Sequence, residues 1–558
     1  MTEVLVVLVT AFVVIAAAAV FGPRLGIAAP LVLVAIGVAA SFLPVFASTH
    51  IEPEWILEGV LPPLLYSSAV SMPAMNFRRE FGAISGLSVL LVVGSALLLG
   101  LFFTVAIPDL GFAWGVALGA IVSPIDAVAT SILKQTSVSS RVVAMLDGES
   151  LLNDATALVL LRTAIVATTM SFSFWSTIGS FAYSIAVAVV IGAFVGWLNL
   201  VVRRRVSDPT VNTVISFAVP FVASVPAGLL GASGLVAAVV AGLITGFRAA
   251  RDLSPENRLS DSQNWRTVEL VLEGAVFLTM GVQIKSIVEN VERDHAGAGV
   301  ALAVAAGALL LTIVVRALYV APLLGFLAAR ARHGVTMQTR LQDMQEQMTT
   351  PEGAQQAFAE VNVRGRKRQP SDRQLDRFAQ RITQGLANID YFVRRPLGWR
   401  EGTAVVWAGM RGAVTVAAAQ TLPEDTPQRS LLVLVAFAVA TLSLLVQGGT
   451  IGPLLRILGP RVDTAAAEEQ SAAQRDRLFA LLRASSETVP DPTAPGGDAT
   501  PAGFEEARTY RLAVIAAQRS ALLDARDNGT FDAEVLEDAL ANLDASQIAI
   551  DMRGRLAG

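Results

Sequence analysis

From Val4 to Arg456 the chain repeats one pattern: a run of roughly twenty mainly apolar residues, then a polar connection. Thirteen such runs are placed at about 4–22, 27–47, 55–72, 83–107, 111–133, 141–169, 175–202, 210–228, 231–248, 266–287, 297–328, 402–421 and 430–456. The eighth and ninth are joined through Ser224 to Gly234, which reads either as a tight hairpin or as a kink in one long helix. Of the 558 residues 53% are hydrophobic and only 16% are charged, where a soluble domain carries about 25% charged residues. The expected fold is an all-α polytopic membrane protein with about thirteen transmembrane helices. There is no cysteine, which excludes disulfides, thiolate metal sites and cysteine nucleophiles. His50, His295 and His333 are far apart, so no histidine metal centre is expected. Nothing calls for a cofactor or for nucleic acid. The N-terminus lacks the basic segment of a signal peptide, so its apolar run reads as a retained first helix.

Loop charge orients the spans. Basic residues fall in alternate connections: Arg24, Arg78-Arg79, Lys134 with Arg141, Arg203 to Arg205, Arg248 to Arg266, and the segment 330–400. The connections between them are nearly free of Lys and Arg. The positive-inside rule then puts the N-terminus outside and the C-terminus in the cytosol. Segment 330–400 reads as a cytosolic loop, basic and Gln-rich, with Arg364 to Arg368 at its centre. The acidic, Ala-rich tail 460–558 reads as a cytosolic helical module, divided by a Pro/Gly-rich linker from Val489 to Gly503. Its apolar residues Leu536, Leu540, Leu543 and Ile550 share one helix face.

Polar groups inside apolar spans are costly and usually functional. Glu149, Ser150, Asn153 and Asp154 lie in the sixth span, at the end of a run that opens at Asp147 near water. Ser150 and Asp154 are four residues apart and share a face, as do Glu149 and Asn153. Glu149 and Asp154 point in different directions and so have different tasks. Asp126 lies in the fifth span just after Pro124, which removes a backbone donor and breaks the helix. Asp126 can cap the positive end of the second half-helix. In the twelfth span Gly409 and Gly412 flank Met410-Arg411, which permits a second break with Arg411 near a negative helix end. Two broken helices at corresponding places are the sequence pointer to a transporter site. Spans five and twelve are seven apart, so they run in opposite orientations, as inverted repeats of spans 1–6 and 8–13 require. Glu149 needs a counter-charge; Arg316 in the eleventh span is the first choice and Arg411 the second. Glu58, Glu269 and Glu273 read as span-end residues in contact with water. Asp154 is then left without a cation. Burial raises the proton affinity of such a carboxylate, and a hard monovalent cation prefers oxygen ligands. One site that holds either a proton or a cation is an antiporter.

The Glu149-Ser-Leu-Leu-Asn-Asp154 stretch resembles the Asn-Asp motif of the monovalent cation:proton antiporter-1 family, the NhaP-like and animal Na+/H+ exchangers. Leu61-Pro-Pro-Leu-Leu-Tyr66, Ser123-Pro-Ile-Asp-Ala-Val128, Phe277-Leu-Thr-Met-Gly281, Arg316 and Met410-Arg-Gly-Ala413 follow in the family's order, over residues 1–456. The resemblance implies a homodimer in the plasma membrane. A core of about 83–169 and 297–456 would move like an elevator against a dimerisation scaffold of about 1–82 and 175–287. It implies Asp154 as the carboxylate shared by Na+ and H+, with Asn153 as the mark of one-for-one electroneutral exchange. Ser150, Ser123 and Ser67 are further candidate ligands. Glu149 with Arg316 would form a structural ion pair, and Asp126 with Arg411 would neutralise half-helix ends. The chain departs from the family in having Ser67 where many relatives place an acid, and in having Pro124 before Asp126 instead of after it. K+ (or Li+) in place of Na+ is the alternative within the class. An ion channel and an intramembrane aspartyl hydrolase using Asp126 and Asp154 are the alternatives outside it. Neither a repeated filter nor two carboxylates sharing a proton is suggested by the sequence.

Overall fold

A computed structural model describes residues 2–24, 28–43, 52–126, 128–134, 138–169, 174–293, 297–348, 350–361, 371–459, 464–490 and 501–557. His50, His295, the Arg364 to Arg368 cluster and most of the 489–503 linker lie outside the described residues. The described residues form helices and no strand. α1 (Thr2–Arg24) and α2 (Ala29–Ala40) are followed by a π-helical turn, Trp55–Val60, that runs into α3 (Leu61–Ser71). α4 (Ala74–Ser85) continues through a π turn, Gly86–Leu91, into α5 (Val92–Ala106). Then come α6 (Phe112–Val122), α7 (Val128–Lys134), α8 (Ser140–Thr169), α9 (Phe174–Arg203), α10 (Pro209–Leu229), α11 (Gly234–Asp252), α12 (Pro255–Val282) and α13 (Ile284–Arg293). α14 (Ala298–Gln347), α15 (Pro351–Val361), α16 (Asp372–Arg394), α17 (Trp399–Trp407), α18 (Ala413–Gln420) and α19 (Arg429–Ser443) come next. A third π turn, Leu444–Gly448, leads from α19 into α20 (Gly449–Leu458), and α21 (Thr464–Ser486), α22 (Pro501–Asn528) and α23 (Ala533–Ala557) end the chain.

Among the described residues, nine helical stretches are long and apolar enough to cross a membrane, and α2 and α6 are shorter apolar helices. Many of their large side chains face outward, Val105 at 81% and Leu310 at 64% exposure among them. In water such a surface would be strongly unfavourable; against lipid it is the expected outer face.

Local chemistry fixes the element ends. Asp208 caps α10 by accepting the N–H groups of Thr210 and Val211, with Pro209 at the first helical position. The join between α10 and α11 is a hairpin and not a kink. Gly231 adopts φ +72°, which favours glycine, and the Ser233 hydroxyl accepts from Val236 N–H to start α11.

Several boundaries differ from the sequence reading. α8 begins at Ser140, so Asp147 lies inside the helix instead of opening it, and its carboxylate pairs with Lys134 at 2.9 Å. The fourth span begins at Ala74, ahead of Arg78-Arg79. There Glu80 turns inward and pairs with Arg141 at 2.5 Å, both side chains buried. Arg203, which reads as a loop charge, is also buried, against Asp261 at 3.1 Å and Asn212 at 2.7 Å. Hydropathy marks where the apolar stretch stops, not where the backbone hydrogen bonding stops. For the same reason α14 runs on to Gln347, and most of the segment read as a loop is helical in α14, α15 and α16. Its Ala, Gln and Arg residues are good helix formers.

Two compact units result. One comprises Met1–Leu253, Asn257–Leu323 and Gly398–Pro460; the other comprises Ser254–Glu256, Leu324–Leu397 and Arg461–Gly558. The second unit thus joins the segment after α14's apolar half to the tail. Leu478, Ile515, Leu522, Leu536 and Leu543 form its apolar centre. Arg395 pairs with Asp532 at 2.8 Å, and Gln384 donates to the carbonyl of Asp527. The tail contributes three helices, α21, α22 and α23.

Candidate ion-binding site

The first unit is organised by two interruptions that meet. α6 stops at Val122, α7 resumes at Val128, and Ser123 to Asp126 between them are not helical. α17 stops at Trp407 and α18 resumes at Ala413. The two breaks are joined directly. Asp126 N–H donates to the Met410 carbonyl at 2.8 Å, and Arg411 Nε donates to the Val122 carbonyl at 3.0 Å.

Each break frees backbone groups that must be satisfied at membrane depth. Arg411, 2% exposed, serves the ends of the two first half-helices. It reaches the last carbonyl of α6 through Nε and the Gly409 carbonyl just past α17 through Nη1. The Asp126 carboxylate serves the two second half-helices. It accepts from Val128 N–H at 3.0 Å at the start of α7, and it lies against Gly412, the N-cap of α18. A Cβ at Gly412 would run into that carboxylate, so only glycine fits the approach. Each helix end carries roughly half an elementary charge. One formal charge therefore balances the two ends it faces.

Glu149 and Arg316 form a bidentate pair at 2.5 and 2.7 Å, both side chains buried. Arg316 Nε also donates to the Val405 carbonyl in α17 at 2.9 Å, so the pair ties α8 and α14 to the second broken helix. Arg411 is engaged with carbonyls instead, which decides between the two candidate partners of Glu149.

Asp154 is 8% exposed and makes no hydrogen bond or ion pair with the described residues. Asp126 is within electrostatic range of it. Next to it, Asn153 is fully buried; its amide donates to the Ile125 carbonyl inside the first break at 3.2 Å, while its Oδ1 has no partner among the described residues. Asn153 therefore fixes α8 against the break and keeps one acceptor unsatisfied among the described residues. The three candidate hydroxyls do not reach Asp154. Ser150 donates to the Asp147 carbonyl, Ser123 to the Ala120 carbonyl, and Ser67 to the Glu269 carboxylate at 3.3 Å.

Glu269 and Glu273, read from the sequence as span-end residues in contact with water, are half-buried one turn apart on α12; Glu269 accepts from Ser67, and Asp126 is within electrostatic range of Glu273. Two glutamates four apart in an apolar run were the available signal. Glu58 is exposed and lies on the wall of a cavity of about 780 Å³ with Leu158, Arg162 and Thr421. Leu158 and Leu235 belong both to that wall and to the apolar cluster around Leu151 and Ala155, which flank Asp154 in α8. Among the described residues no group of three acidic or histidine side chains forms a resident metal site.

Two interrupted helices meeting beside a buried, unpaired carboxylate define a membrane ion transporter of the exchanging kind. The family model described as "Sodium/hydrogen exchanger, transmembrane" matches residues 8–344 and 379–457, and the chain belongs to that family of multi-pass plasma-membrane antiporters. It is 25% identical to an uncharacterised Na+/H+ exchanger of Mycobacterium bovis over 98% of this chain and 96% of that protein. It is 24% identical to the Na+/H+ antiporter ApNhaP of Aphanothece halophytica over 83% of this chain and 76% of that protein. Its fold is similar to that of the sodium proton antiporter MjNhaP1 of Methanocaldococcus jannaschii, with a TM-score of 0.54 at 15% identity, covering 82% of this chain and 100% of that one.

Proposed function

We propose that the protein exchanges Na+ for H+ one for one, with both ions competing for Asp154, in the service of pH and sodium homeostasis. The observation that carries this reading is the contrast at Asp154: a carboxylate that is 8% exposed, beside a helix break, with no cation near it among the described residues. An anion in that setting is unfavourable unless it is neutralised. A proton neutralises it, and so does Na+; neither can leave without the other arriving. Na+ takes oxygen ligands; the unpartnered Asn153 Oδ1 supplies one, and the Ser150 hydroxyl on the same helix, now engaged with the Asp147 carbonyl, would supply another after rotating. Ser123 and Ser67, engaged with Ala120 and Glu269, would join only after rotating. Asn153 keeps Asp154 against the break through Ile125, and the Glu149–Arg316 pair and the Asp126 and Arg411 compensations hold the surrounding frame.

The same reading takes thirteen spans, the N-terminus outside and the C-terminus in the cytosol, and two copies associated through the scaffold helices. The core with both breaks moves as one body past that scaffold, carrying the ion between the two faces. The test is reconstitution in vesicles with an internal pH dye and addition of Na+, K+ or Li+ in turn. Proton movement that depends on Na+ and does not change the membrane potential is expected. Movement with K+ alone reassigns the cation, and movement that charges the membrane overturns one-for-one exchange.

A further inference from the structure

The cavity of about 780 Å³ lies among the second half of α8, the π turn before α3, α9 and the α10–α11 hairpin. Cavities of about 300–1,000 Å³ hold small organic molecules. Asp154 is not on its wall, but three other charged side chains are: Glu54, Glu58 and Arg162. All three are exposed, and none forms an ion pair or side-chain hydrogen bond with the described residues. Ser184 lines the cavity as well. It is 9% exposed, and its hydroxyl has no hydrogen-bond partner among the described residues. A buried hydroxyl in that position bears a desolvation cost that a ligand would relieve.

The surroundings indicate what kind of ligand. Val166, Val225 and Leu229 are on the wall and also belong to the exposed apolar surface of the bundle, Leu229 at 83%. That surface faces lipid, so the cavity is continuous with the lipid phase. Trp55, beside Glu54, and Trp175, at the start of α9, are exposed. Tryptophan collects at the level of the lipid headgroups, and Glu54 stands at that level next to Trp55. The charge pattern narrows the choice further. A simple cation would meet Arg162, and a simple anion would meet the two glutamates. A headgroup that carries both charges satisfies all three side chains.

We propose that this cavity binds the headgroup of phosphatidylethanolamine, a zwitterionic phospholipid with a primary ammonium. Its phosphate pairs with Arg162, its ammonium with Glu54 and Glu58, and its acyl chains leave past Val225 and Leu229. The ammonium N–H groups also offer donors to the Ser184 hydroxyl, which a trimethylated headgroup does not. Lipid binding here is independent of which cation is exchanged at Asp154.

The full-length protein, stripped of lipid in detergent, would be titrated with phosphatidylethanolamine, phosphatidylcholine or phosphatidylglycerol, and the lipids retained would be counted by native mass spectrometry. About one phosphatidylethanolamine per protomer is expected at the lowest concentrations, with the other two lipids about tenfold weaker. Glycerophosphoethanolamine, the same headgroup without acyl chains, should not displace it. Arg162→Gln and the double substitution Glu54→Gln with Glu58→Gln should each weaken phosphatidylethanolamine binding about tenfold at unchanged Tm, because these side chains are exposed and unpaired among the described residues. Equal retention of the three lipids, or wild-type retention in both variants, would make the cavity ordinary lipid contact and overturn the inference. Displacement by glycerophosphoethanolamine at matching concentration would overturn it in favour of a soluble ligand.

Discussion

Glu149 and Asp154 are carboxylates five residues apart on one helix, and both are buried. Glu149 is held by both terminal nitrogens of Arg316. Asp154 is held by nothing among the described residues. Their separation on α8 turns one toward α14 and the other toward the break between α6 and α7, and that rotation alone assigns the two acids different chemistry. A buried charge with a fitted partner is a fixed part of the frame. A buried charge without one must take its partner from solution, and this is what an exchanger needs. The frame also helps Asp154 stay unpaired: Arg316 is engaged with Glu149, Arg411 with carbonyls, and Asp126 with Val128 N–H.

The comparison can be broken most severely at Asp154. Asp154→Asn should keep the wild-type Tm or raise it, because an unfavourable buried acid is removed, while Na+-dependent proton flux falls about a hundredfold or more. Comparable flux would mean that another group carries the ions. Glu149→Gln should do the reverse. It leaves Arg316 buried without its counter-charge and should cost about 3–5 kcal/mol of stability, read as lost yield and a lower Tm. Arg316→Gln should match it, and the double substitution should recover part of the loss. If either variant has normal Tm but weaker Na+ affinity, the pair belongs to the site. A subtler test is Gly412→Ala, in which the added methyl displaces the Asp126 carboxylate from the start of α18. Exchange should drop about tenfold with the Glu149–Arg316 pair intact; an unchanged rate would show that the balance at the break tolerates displacement. The smallest effect is expected at Asp208, the cap of α10. Its pKa is lowered by the backbone N–H groups of Val211 and Thr210. The folded state thus favours its ionised form, so its contribution is present above the usual carboxylate range and is lost as pH falls through the lowered value. The Tm difference between wild type and Asp208→Ala should be small at neutral pH, vanish in acid, and leave exchange unchanged.

Much of this arrangement is legible in the residues. Repeated apolar runs of about twenty residues announce membrane helices because a surface helix of a soluble protein keeps a polar face. Pro124 announces a break because it removes a donor, and Gly409 and Gly412 announce the place of the second. Asp154 stands out because no cation lies near it in sequence. What local pattern cannot supply is the identity of distant partners. Arg316 is only a first choice over Arg411 for Glu149 until the fold places one at α17 and the other between two carbonyl ends. Ser67 with Glu269, and Glu80 with Arg141, join helices whose sequences carry no trace of each other. Segment 330–400 is polar enough to look like a loop, yet its helix propensity carries α14 onward and its side chains pack with the tail.

The central claim is that a proton and Na+ compete for one carboxylate, and proton release on binding tests it without any transport step. Purified protein in weakly buffered detergent solution, near the pH at which Asp154 is protonated, would receive Na+ while pH is followed. About one proton should be released per Na+ bound, and none in Asp154→Asn. Na+ binding with no proton release, or equal release from Asp154→Asn, would contradict the account.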